Sequence, residues 1–209
     1  MISDLSASNL VVVVISILIS MTAHEAMHAF TARWLGDTTA EDAGRLTLNP
    51  LRHIDPYTTI LLPIISYTLF KIPFLAARPV PFNPSRVKFG EMGAALVGIA
   101  GPFTNLGLAF LTSLVIRLSS VSLSSGVANV LAVFMVINIS LFVFNMIPFP
   151  PLDGSRLLYA VAPEPLQEIM ARIESSGFMA IAVFMLIFFW FLSPLVVNID
   201  NSIFNFLLR

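Results

Sequence analysis

Residues Leu10–Phe30 read LVVVVISILISMTAHEAMHAF. About 20 consecutive apolar residues suffice for a helix to cross a bilayer, so this stretch predicts a membrane span. Near its end it carries His24, Glu25 and His28. Side chains four apart stack on one helix face, so both imidazoles can bind a single metal ion. Glu25 lies about 100° round the helix from His24, where it can reach water activated by that metal. The alternative is a pair of histidines bonded to neighbouring helices, with Glu25 as a structural partner. A charged group at the centre of a span costs about 2.5–3.5 kcal/mol, which favours the metal reading.

The whole chain agrees with a membrane solvent. Of 209 residues, 57% are hydrophobic and 11% charged, against about 25% charged in a soluble domain. Mean hydropathy is +0.89. A net charge of −1 offers no basic face for nucleic acid. Without cysteine there are no disulfides, thiolate metal sites or cysteine nucleophile. Met1 to Ala23 contains Asp4 and no Lys or Arg, so the first apolar run is expected to be retained, not cleaved as a signal peptide.

The predicted fold is an all-α polytopic membrane protein, one domain over residues 1–209. Core spans are expected at about 8–32, 92–117 and 127–148, and a C-terminal span at about 177–199. Its phenylalanines (Phe184, Phe188, Phe189, Phe191) read as lipid-facing or as helix packing. Arg33, Arg45 and Arg52 follow the first span, Arg78, Arg86 and Lys88 precede the second, and Arg156 and Arg172 follow the third. The positive-inside rule puts these groups in the cytoplasm, and the N-terminus and the Ser119–Gly126 loop outside. Pro56–Ala77, apolar but interrupted by Pro63, Lys71 and Pro73, must then return to the side it left. It is expected to form a re-entrant hairpin. Arg78–Glu91, with Pro79, Pro81 and Pro84, reads as extended chain near the cytoplasmic side, and the proline-rich Pro56–Pro84 region as a strand-like surface able to receive a substrate by edge pairing.

A catalytic zinc site takes three protein ligands and leaves a position open for water. With cysteine absent, the third ligand is His53 or a carboxylate: Asp55, Asp153 or Asp37. Asp153 ends Asn145-Met-Ile-Pro-Phe-Pro-Pro-Leu-Asp153-Gly154, where three prolines unwind the third span and Gly154 permits a turn. It either points inward as a ligand or caps the helix that follows. His53, beside Arg52, reads as a solvated loop residue, with a gate or a supporting hydrogen bond as the alternative.

His24-Glu-Ala-Met-His28 at the end of a span, Gly101-Pro-Phe-Thr-Asn105 inside another, and Asn145–Gly154 together resemble the site-2 proteases, zinc metalloproteases that cut within membranes. The resemblance covers roughly residues 8–32 and 92–156. Gly44–Pro50 and Arg78–Pro84 further resemble the compact members without a PDZ or CBS domain. The resemblance implies one zinc ion per chain held by His24, His28 and Asp153, with Glu25 as general base. It implies that Asn105 and Asn145 lie near the active site, positioning substrate or holding the oxyanion, or else bonding between helices. Gly101 and Pro102 read as close helix packing and a bend. The expected substrate is the transmembrane helix of another protein, cut in the bilayer from a site toward the cytoplasmic face of the cell membrane. Two other readings use the same residues: a metal transporter, and an inactive homologue that binds helices without cutting them. Oligomeric state is not encoded in any of these motifs.

Overall fold

The computed structural model describes residues 7–53, 80–118 and 126–209, and the regular structure among them is helical. The first helix, α1, runs Ala7–Trp34, and a short α2, Thr39–Asp42, follows it. Single 3₁₀ turns at Pro50–Arg52 and Pro84–Arg86 each begin at an asparagine whose side chain accepts from the backbone two residues on. After them come α3 (Gly90–Leu118), α4 (Gly126–Asn145), α5 (Gly154–Val161) and α6 (Glu164–Ser175). The chain ends in α7 (Phe178–Ile187), a π-helical turn at Phe188–Leu192, and α8 (Ser193–Leu208).

Four stretches are long and apolar enough to cross a membrane: Leu10–Trp34, Gly90–Leu118, Gly126–Asn145 and Met179–Leu208. The protein is therefore an integral membrane protein with the expected core of three spans plus a fourth. Two boundaries differ from expectation. The third span stops at Asn145, because Pro148 and Pro150 cannot continue the ladder and the chain tightens through an Ile147-to-Phe144 turn bond. The last helix runs past residue 199 to Leu208, since Asp200 does not end it: its carboxylate accepts from the Ser140 hydroxyl of α4 at 2.7 Å. The hairpin expected over Pro56–Ala77 lies outside the described residues, and so does Asp55.

Small residues let α1 and α3 approach closely. On α1, Ala26, Ala29 and Ala32 have no exposed surface, and α3 answers with Gly93, Ala94, Gly98 and Gly101, all buried. Helices in lipid gain nothing from hiding apolar surface, so close backbone packing is what holds them. On the other side of α4, Met135, Ile139 and Val143 pack with Val196 and Leu207 of α8.

The two long connections are tied to this bundle. The Lys88 amide donates to the Leu35 carbonyl at 2.9 Å, so the chain leaves α1 and enters α3 on the same side of the molecule. Next to that joint, Asp37 is fully buried. It accepts from the Thr39 amide (3.0 Å) and hydroxyl (2.5 Å), and from the Asn83 amide at 2.6 Å. Burial opposes its charge. The Thr39 hydroxyl, the Asn83 and Thr39 amides and the Arg86 guanidinium more than offset that, holding the carboxyl below its ordinary value. Asp37 is thus a clamp between the turn after α1 and the segment before α3, and among the described residues it joins no group able to hold a metal ion. His53, expected in solvent, is instead buried: its Nε2 meets the Thr47 carbonyl at 2.9 Å, while buried Arg45 donates to the Arg52 carbonyl.

Because Asp37 titrates lower in the folded chain than in the unfolded one, its stabilisation is complete above the ordinary carboxylate range and is lost as pH falls through the folded value. The thermal-melting advantage of the unaltered protein over Asp37→Asn, read by scanning fluorimetry in detergent, should be constant at about pH 5 and above and shrink below about pH 4.

Candidate active site

The site forms where the C-terminal part of α1, the N-terminal half of α3 and the proline-rich turn after α4 meet. His24 Nε2 and His28 Nε2 lie 3.1 Å apart. Asp153 Oδ2 lies 3.0 Å from the first and 3.4 Å from the second. Donors in a tetrahedral zinc site stand about 2.0–2.1 Å from the ion, which spaces them about 3.3 Å from one another. The triangle has those dimensions, and these three residues are a group able to hold a metal ion.

The protons support the same conclusion. On α4, the Asn138 amide nitrogen faces two acceptors, the Phe134 carbonyl at 2.9 Å and Ser20 Oγ at 2.8 Å, which fixes its orientation. Its oxygen then receives the Asn105 amide nitrogen at 2.9 Å, and that nitrogen also meets the Ser20 carbonyl at 3.2 Å. Asn105 is therefore oriented as well, and its oxygen faces His24 Nδ1 at 2.6 Å. A carbonyl oxygen only accepts, so Nδ1 of His24 carries the proton and the neutral ring presents a lone pair at Nε2. His28 reaches the same state by a shorter route, donating from Nδ1 to the Val97 carbonyl of α3 at 2.7 Å. In their neutral form the two rings therefore turn both Nε2 lone pairs towards the carboxylate oxygen. One proton could bridge a single pair, whereas a cation bound by all three satisfies the triangle.

Asp153 is aimed by its turn. It precedes α5 with helical backbone angles and makes no side-chain capping bond, so the capping alternative does not hold. Gly154 lies so close to Met146 that a Cβ would come within 2.5 Å of its carbonyl oxygen. Phe149, inside the turn, stacks on buried Phe184 of α7 with centroids 5.0 Å apart.

Gly101 does more than permit packing. A Cβ there would sit 2.4 Å from His28 Nε2 and 2.7 Å from His24 Nε2, in the space the converging nitrogens need. Glu25, half-buried beside them, accepts from the Val80 amide at 3.0 Å through Oε2. The two asparagines singled out from sequence fall in different places. Asn105 is buried against His24, with both polar ends of its side chain engaged. Asn145 donates to the Leu141 carbonyl of its own helix at 3.0 Å.

Asn138 and Ser20 escaped the sequence reading. A signal for Asn138 was present, since it is an amide in the middle of the run Val130–Phe144, apolar but for it and Ser140, and polar groups inside a span commonly serve a site. Ser20 precedes His24 by four residues and so shares its helix face.

The family described as Peptidase family M50 matches residues 112–191. "Putative zinc metalloprotease YwhC" of Bacillus subtilis (strain 168) is 37% identical over 177 residues, 81% of this chain and 78% of the relative. "Putative zinc metalloprotease Rip2" of Mycolicibacterium smegmatis is 30% identical over 179 residues, 84% of this chain and 67% of the relative. The Rip2 of Mycobacterium tuberculosis (strain H37Rv) is 31% identical over 182 residues, 86% and 66% of the two chains. No solved structure matches the chain.

Gly101→Ala should bring bound metal to background while circular dichroism stays helical, because the added methyl falls on the two nitrogens. Asn138→Leu should keep the fold and weaken metal binding about 10-fold or more, measured by competition with a chelator of known affinity.

Proposed function

The chain belongs to peptidase family M50, the site-2 zinc metalloproteases, and on that premise we propose that it is an intramembrane endopeptidase that hydrolyses peptide bonds in transmembrane segments. The observation that carries the proposal is the triangle of His24 Nε2, His28 Nε2 and Asp153 Oδ2, with Glu25 one residue along the same helix. In this reading the three residues hold one zinc ion per chain and leave a fourth position for water. Bound there, zinc acidifies water and polarises the scissile carbonyl.

The chain's own groups do the remaining work. Glu25 accepts the proton of the attacking water and hands it to the leaving amine, so the carboxylate ends as it began. Asn105 holds His24 in the tautomer that leaves Nε2 free, and the Val97 carbonyl does the same for His28. Asn105 spends its polar atoms on His24, Asn138 and Ser20, which supports an orienting role for it over direct contact with substrate. The flanking arginines support a site toward the cytoplasmic face. The substrate would be a helix whose cut segment unwinds to expose its carbonyls, as in regulated intramembrane proteolysis.

The test uses detergent-purified full-length chain and a panel of quenched-fluorophore transmembrane peptides, rich in Leu and Ala, each with a different central helix-breaking pair. About one zinc per chain is expected in the unaltered protein and in Glu25→Gln, with much less in Asp153→Ala. Cleavage should be abolished in Glu25→Gln and in chelator-stripped protein, and restored to the latter by zinc. Zinc-loaded protein that cuts no peptide, but in which Glu25→Gln alters zinc flux into liposomes, would favour the transporter.

A further inference from the structure

The non-helical segment Val80–Asn83, which leads towards α3, is sparing with backbone donors. In Pro79-Val80-Pro81 neither proline has an N–H, so Val80 supplies the tripeptide's single amide donor. That donor reaches Glu25 Oε2 at 3.0 Å. Three residues on, the Asn83 amide reaches Asp37 at 2.6 Å. Two carboxylates, one on α1 and one in the turn after it, therefore hold the segment at both ends. Packing holds it too: the Val80 side chain is buried with Ala29 of α1 and Ala40 of α2, and Phe82 packs against the cluster of Ala32, Leu35, Val87 and Val97. Arg156, which also pairs with Glu174, lies over the Phe82 ring, 5.6 Å from its centre. The Val80 amide is thus a fixed point, whereas Glu25 is a side chain with a broad, two-fold terminal torsion.

We propose that the backbone amide of Val80 is a positioning group for Glu25. By occupying Oε2 it fixes the rotation of the carboxylate and leaves Oε1 as the oxygen that takes the proton from the attacking water. The flanking prolines make the arrangement specific, because a shift of one residue in either direction would bring a nitrogen without hydrogen to Glu25. Asp37 serves the same end at a distance, keeping the segment from sliding. The proposal rests on the protease reading of the site, and its position in that reading is testable separately.

The test removes one hydrogen. In the full chain, Val80 is replaced by α-hydroxyisovaleric acid through nonsense suppression, turning the amide between residues 79 and 80 into an ester with the side chain intact. Valine itself, inserted at the same codon by the same suppression, keeps both the N–H and the side chain and is the control. Both are assayed on the peptide from the panel above that the unaltered chain cuts fastest. The ester should lower kcat about 10-fold or more with KM, zinc content and melting temperature unchanged, while the valine-suppressed control matches the unaltered chain. Should the ester chain fail to accumulate, Val80→Pro deletes the same N–H and is judged by the same four readings. Unchanged kcat overturns the proposal, and so does a fall in kcat matched by loss of zinc or of melting temperature, which would mark the amide as scaffold alone. If the unaltered chain binds zinc and cuts no peptide, the protease reading fails and the proposal with it. Cleavage by the unaltered chain with an unaffected ester overturns the proposal alone.

Discussion

Three electron-pair donors brought within 3.4 Å of one another are the constraint around which this molecule is arranged. Left alone, such a cluster would fly apart or collect protons; it persists because each member is held from behind. For His24 the support runs across three helices, from the Phe134 carbonyl through Asn138 and Asn105, with Ser20 closing the network on α1. Every amide in that relay has one orientation that satisfies its neighbours. A rotation or slide of α4 by one residue would break the relay at Asn138 and free the ring of His24 to turn over. The spacing of the spans is therefore fixed by hydrogen bonds as well as by packing.

The remaining architecture keeps those three helices at that distance. α1 and α3 touch through alanine and glycine because larger side chains would hold the imidazoles away from the turn that carries Asp153. Gly98 is part of the same adjustment: a Cβ there would come within 3.0 Å of the Asp153 carbonyl and 2.8 Å of Arg156 Cβ. The aromatic contacts from Phe149 and Phe144 to α7 and the turn after it brace the prolines from the outside. A carboxylate on a flexible turn would sample many positions, and the bracing removes that freedom.

Much of this was legible in the sequence, for reasons that differ from residue to residue. The spans announce themselves by composition, and His24, Glu25 and His28 by a spacing that only a helix makes meaningful. Asp153 stood among four possible third ligands until geometry separated it from Asp37 and His53, both of which serve loop structure. Asn138 was missed because one amide in a span has no periodic partner; its meaning lies on α1 and α3, far away in the chain. Gly101 was read as packing, which is true of its helix but incomplete, since the space it leaves is filled by imidazole nitrogens. The Val80 amide has no side-chain signature at all. What a backbone N–H faces is a tertiary fact, and the two prolines beside it hint at it only after the contact is known.

The bond from Lys88 to Leu35 closes a long loop at its base, and the groups that matter to the site sit close to that closure. Asp37 follows Leu35 by two residues, while Asn83 and Val80 precede Lys88 by five and eight. Closing a flexible loop has an entropic cost that rises only with the logarithm of its length, about 0.6 kcal/mol for each doubling. A longer or shorter chain between the two ends of this joint therefore costs little closure entropy, and the groups beside the joint keep their places.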